Sequence, residues 1–152
     1  MNGSNIREHL ALELERLRER NGSDFAAIAL PASDDRAMRW QIVLGGRNGK
    51  VGQMKIKPGV GLGGMVLRHG TVYTVNDGEN AELLEACPVM LAERLASGIA
   101  CPLIESDTGP AAGILLFGRR GREAYEKFAI SRIGEEFRDS GLLTGLLDGD
   151  FG

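Results

Sequence analysis

Pro58-Gly59-Val60-Gly61-Leu62-Gly63-Gly64 runs directly into Met65-Val66-Leu67-Arg68. Proline and clustered glycine break regular structure, so this run reads as a loop feeding a short helix that ends near Gly70. The first N–H groups of a helix have no partner inside it, and the helix dipole adds partial positive charge there. A helix start preceded by glycines therefore suits a small anion. Gly61, Gly63 and Gly64 carry no Cβ, so the backbone can approach a ligand closely. No Gly-Lys-Ser/Thr follows, which excludes a phosphate loop.

Upstream of this turn, Ile6, Leu10, Leu14 and Leu17 fall at helical spacing, with Glu8, Glu13, Arg16 and Arg20 between them. That is an amphipathic helix, stopped by Asn21-Gly22. Phe25 to Leu30 reads as a buried strand, Pro31 to Asp35 as a turn, and Met38 to Leu44 as the second strand of a hairpin. A glycine-containing loop from Gly45 to Gly52 and a short extended piece from Lys55 to Lys57 lead into the turn.

Downstream, Val72 to Val75 is a strand and Asn76-Asp77-Gly78 a turn. Ala81 to Ala86 and Val89 to Ala96 read as two short helices broken at Pro88. Gly98 to Ile104 and Ala112 to Gly118 are strands joined by the turn Glu105 to Gly109. From Glu123 the pattern is helical, with Ile130, Ile133 and Phe137 on one stripe, and the glycines from Gly141 to Gly152 suggest a fraying tail. This order predicts an α+β fold with a central, largely antiparallel sheet. The terminal helices cover one face and the short middle helices cover the other, over a ligand pocket.

The 152 residues, 43% of them hydrophobic, make one ordinary domain with one core, and neither a repeat nor a linker divides residues 1–152. A formal charge of -3 excludes the basic surface expected of a nucleic-acid binder. No apolar run reaches the ~20 residues of a membrane span. The charged, helical Met1 to Asn21 does not read as a signal peptide, so the expected location is the cytoplasm. Cys87 and Cys101 are too few for a disulfide scaffold, and His9 and His69 lie far apart, so neither a metal nor another cofactor is expected.

The words Pro58 to Gly64, Val75-Asn76-Asp77, Ser97-Gly98-Ile99-Ala100-Cys101-Pro102-Leu103 and Gly113-Ile114-Leu115-Leu116-Phe117-Gly118 resemble the GAF domain family over nearly the whole chain. One subgroup is similar in more detail: stand-alone nitrate receptors that work with a sensor histidine kinase. The closer likeness rests on Arg39-Trp40, Gly46-Arg47-Asn48 and Pro88-Val89-Met90-Leu91-Ala92-Glu93. The resemblance implies a site at Trp40, Leu62, Gly63 and Val89, with Met90 as a neighbour. Main-chain N–H groups at helix starts and the tryptophan indole would hold the anion. Gly63 stands where the family often has alanine.

The chemistry of these residues fits a monovalent, weakly hydrated oxyanion such as nitrate. A doubly charged phosphate usually calls for Arg or Lys against it. Trp40 offers one N–H and a flat apolar wall, while Leu62, Val89 and Met90 would exclude water. Pro88 starts a second helix.

Plainer readings stand beside this one. The glycine run also reads as a tight turn alone, and a lone tryptophan serves equally as core. Cys87, ahead of a helix start, also fits a reductase of free methionine sulfoxide, although the reductases of the family carry a third cysteine at a different spacing. Cys101, among apolar neighbours, reads as an inert buried thiol. The terminal stripes also fit a ligand-free interaction module, or a homodimer through the terminal helices.

Overall fold

The computed structural model describes residues 3–47, 49–76, 78, 81–104, 111–121, 125–126, 132–133 and 135. Helix α1 spans Gly3–Arg20 and strands β1 and β2 span Phe25–Pro31 and Met38–Leu44. A short 3-10 turn at Val51–Gln53 occupies the expected loop, and α2 spans Gly61–His69. Strand β3 (Tyr73–Asn76), helices α3 (Ala81–Ala86) and α4 (Pro88–Ala92), and strands β4 (Ser97–Ile104) and β5 (Ala111–Arg119) follow. The five strands form one antiparallel sheet in the order β2-β1-β5-β4-β3.

Alternation sorts the side chains of β1, β4 and β5 between two faces. Phe25, Ala27 and Ala29 of β1, Ala100 of β4 and Ile114 and Leu116 of β5 pack on the side of α2 and α4. Ala26, Ile28, Ile99, Cys101, Leu115 and Phe117 pack on the other side, under Leu10, Leu14 and Leu17 of α1. The α1 stripe is thus consumed by the sheet: these three leucines are buried, while Leu12 stays exposed on the outer face.

β2 changes phase midway. Ile28 pairs with Ile42 and Ala29 with Trp40, so Gln41 is the extra residue of a β-bulge. Met38 and Trp40 therefore face α2 and α4, whereas Ile42 faces α1. Simple alternation of Met38, Trp40 and Ile42 would have put all three on one side.

Two helix boundaries differ from the sequence reading. The expected helix began after Gly64, but α2 begins at Gly61 and takes in both glycines that follow Leu62. Glycine is a poor helix former, yet Gly61, Leu62, Gly63 and Gly64 are all buried, and tight packing overrides propensity. α2 ends as expected at Gly70, whose left-handed conformation lets its N–H reach the Val66 carbonyl at 2.7 Å. α4 stops at Ala92 rather than Ala96, with Arg94 at a φ of 53° and the Leu95 N–H on the Met90 carbonyl.

Of the expected C-terminal helix, Arg132, Ile133 and Glu135 are helical, and Ile133 is buried on the α1 side. Glu123, Ile130 and Phe137, the turn Glu105 to Gly109, Asn48, Asp77 and the tail from Gly141 lie outside the described residues. No helix among the described residues is long and apolar enough to cross a membrane.

Candidate functional site

On the cavity-facing side of the sheet Ala27, Ala29, Gly98 and Ala100 are small, and that lets α2 and α4 sit close. A Cβ on Gly98 would lie 2.9 Å from the Met90 sulfur and 3.2 Å from Leu62 Cδ2. Met90 and Leu62 thus meet over the bare backbone of Gly98. Both side chains are buried and belong to the core beneath the site.

The turn before α2 is fixed by backbone contacts. The Gly59 N–H donates to the Gly64 carbonyl at 2.8 Å, and the Val60 N–H donates to the Lys57 carbonyl at 3.0 Å. Gly61 has a φ of 72°, a conformation L side chains rarely adopt. A Cβ on Gly64 would collide with the Lys57 carbonyl oxygen. These two glycines are required by the geometry of the turn.

The segment Lys55 to Lys57 is tied to β2 by a bridge between Arg39 and Lys55 and by the Ile56 N–H on the Met38 carbonyl at 2.9 Å. It closes one side of a cavity of about 160 Å3. Trp40, Gly63 and Val89, three of the expected site residues, line this cavity together. The ring edge of Trp40 lies against Gly63, where an added Cβ would stand 3.1 Å from Cζ2. The volume lies below the ~300 Å3 at which pockets for drug-sized ligands begin, so the space fits an ion or molecule of a few heavy atoms.

Sequence reading missed part of the lining. Met54, Ile56 and Val60 add apolar surface, and Cys87 and Pro88 form the wall beside Val89. Lys55 and Lys57 also border the cavity, so a site pictured without a formal cation has two at its edge. Their spacing ahead of Pro58 was the available signal. Lys55 is shared with the surface carboxylate of Asp35 at 3.4 Å. Asp35 is held well below the usual carboxylate range, first by the Ala37 N–H and then by Arg39.

Leu62 enters the site through its backbone. Its N–H points at Cys87 Sγ, 3.4 Å away. Cys87 is buried on the cavity side of the sheet and Cys101 is buried on the α1 side, and both are free thiols. Burial pushes the Cys101 thiol up to about 12, which keeps it protonated.

A second unforeseen feature holds α4 in place. Glu93, just past its last turn, is buried and bonded to Arg120 at 2.7 Å. Its carboxylate also accepts the Arg47 N–H at 3.0 and 3.3 Å. Arg120 donates further to the carbonyls of Glu93 at 3.1 Å and Gly45 at 3.0 Å. One buried ion pair therefore joins the loop after β2, the end of α4 and the chain after β5. Among the described residues, no cluster of three or more His, Cys, Asp or Glu side chains has the arrangement to hold a metal ion.

No family model and no curated protein matches the chain. Solved structures do. A hypothetical protein of Staphylococcus aureus is 30% identical, with 78% of this chain and 98% of that chain covered and a TM-score of 0.67. An NreA protein of S. aureus mutated in its nitrate binding site is 29% identical, with 80% of this chain and 90% of that chain covered and a TM-score of 0.68. Two more distant structures share the fold alone. The GAF domain of an Acinetobacter phosphoenolpyruvate-protein phosphotransferase is 14% identical, with 97% and 87% covered and a TM-score of 0.72. A type II free methionine-R-sulfoxide reductase of Thermoplasma acidophilum is 15% identical, with 94% and 95% covered and a TM-score of 0.70. The antiparallel sheet, the glycine-started helix and these likenesses agree: the chain belongs to the GAF domain family and stands close to NreA within it.

Proposed function

We propose that this chain is a cytoplasmic sensor of a small oxyanion, nitrate being the first candidate, and that a sensor histidine kinase reads its ligand state. The observation that carries this reading is the convergence of Trp40, Gly63 and Val89 on one small cavity. At the start of α2 the N–H groups of Leu62 and Gly63 have no partner within the helix, and the dipole there favours negative charge. Trp40 supplies a flat wall against which a planar ion stacks. Leu62 and Met90 seal the floor, and a dry floor strengthens each hydrogen bond to the ion. Lys55 and Lys57 at the edge draw an anion toward the mouth. The partner must prefer one ligand state, since a ligand shifts only what binds its two states differently.

Trp40 is the sole tryptophan and therefore a built-in reporter. Titrating the purified chain with nitrate, by tryptophan fluorescence and calorimetry in parallel, gives a saturable signal at millimolar nitrate or below. A flat response through that range overturns the reading.

One observation favours a second reading. Cys87 borders the cavity, where a thiol meets a bound molecule, as a reductase of free methionine sulfoxide requires. Against it, Cys101 lies across the sheet and offers Cys87 no partner for a disulfide. Turnover of free methionine sulfoxide that is abolished by Cys87→Ser would favour it; turnover that survives the change, or none at all, removes it.

A further inference from the structure

We infer that the Cys87 sulfur is an internal stand-in for the ligand on the Leu62 N–H, so that thiol and anion hold this donor by turns. The inference rests on the anion reading above. Cys87 borders the cavity and Leu62 does not, and the Leu62 N–H is directed at the Cys87 sulfur. Cys87 thus joins this donor to the lining of the space. It is held there by close packing: a Cβ on Gly61 would meet Cys87 Cα at 3.1 Å and Sγ at 3.2 Å.

The contact is a weak one for the donor. Sulfur is a poor acceptor, and the contact length is 3.4 Å. An ionised oxygen makes a hydrogen bond about twice as strong as a neutral acceptor does. A buried N–H left wholly unpaired is costly, so a placeholder in the empty state keeps the start of α2 formed. The arrangement thus stabilises the free protein while leaving an incentive for exchange. It also makes residue 87 a determinant of affinity: the better its side chain accepts from the Leu62 N–H, the weaker the ligand.

The test compares the wild-type chain with Cys87→Ala and Cys87→Ser, titrated by calorimetry with nitrate, nitrite, chloride and formate in turn. Removing the competitor in Cys87→Ala tightens anion binding by about fivefold, and the better acceptor in Cys87→Ser weakens it by a similar factor. In the free protein, the Leu62 amide exchanges its hydrogen faster in Cys87→Ala than in wild type. Affinities that are equal across the three proteins, or in the reverse order, overturn the inference while the anion reading stands. Unchanged Leu62 exchange overturns it as well, whatever binds. If none of the four anions binds any of the three proteins, the anion reading falls and takes the inference with it. Thermal melting of each variant identifies a folding defect, and the serine variant preserves the comparison if alanine unfolds the chain.

Discussion

The two faces of the sheet solve opposite problems with the same strands. On the α1 side, Leu10, Leu14 and Leu17 meet Ile28, Ile99, Leu115 and Phe117, and the layer is closed by large side chains. On the other side Phe25, Trp40, Ile114 and Leu116 supply bulk from the strands, while Ala27, Ala29, Gly98 and Ala100 leave room for α2 and α4. One face holds the fold together; the other keeps helix ends near a small space. The cysteines show the same division, since Cys101 is shut in an apolar layer while Cys87 borders the cavity. One long helix covers the α1 face, whereas short helices cover the other and leave a gap where α2 and α4 begin.

The comparison breaks most visibly at the ion pair that anchors α4. Arg120→Ala leaves the Glu93 carboxylate buried without its cation, and breaking such pairs costs about 3–5 kcal/mol. Urea unfolding reads that loss, and ligand binding weakens with it because α4 loses its anchor. On the closed face, Leu14→Ala opens a hole worth about 3 kcal/mol. Here the urea midpoint falls but the folded protein's nitrate titration is unchanged; a shift in affinity would show that the two faces are coupled.

Smaller effects sharpen the contrast. Trp40→Phe keeps the ring but removes the N–H and part of the wall, and weakens nitrate by about tenfold. Its effect is followed by calorimetry, since the fluorescent reporter is gone. Alkaline pH probes the closed face. The Cys101 thiol titrates at about 12 in the folded chain against a reference of 9.0, so its contribution is complete below the reference value. As pH rises through that window the unfolded chain ionises first, and the contribution is lost. Tyr125, raised by burial from 10.0 to about 12, adds to the same alkaline decline. Cys101→Val flattens the decline in a pH series of melting temperatures, and Cys87→Ser leaves its Cys101 component in place. Least of all, Lys57→Ala changes stability by no more than about 0.5 kcal/mol, as for ordinary surface positions. It lowers the anion association rate and the dependence of that rate on salt.

The order of elements was legible because each rests on a local signal: the α1 stripe, the glycine turn, Pro88 and the apolar runs of β4 and β5. So was the grouping of Trp40, Gly63 and Val89, through family likeness and not through any pattern that spacing alone reveals. What the sequence hid was set by contacts across long separations. Glu93 looks like one more acid on a short helix until Arg47 and Arg120 surround it. Likewise, the start of α2 at Gly61 depends on burial, and propensity points the other way.

The extra residue in β2 has a consequence for how this protein varies. Gln41 works as a phase slip: before it Met38 and Trp40 face the cavity side, and after it Val43 does, with Ile42 and Leu44 turned to α1. Substitutions at Met38 and Trp40 therefore act on the cavity side, and substitutions at Ile42 and Leu44 on the α1 interface. Deleting Gln41 would make Trp40 and Ile42 chain neighbours that still alternate between the two faces, so the strand can lose this residue without turning either half over.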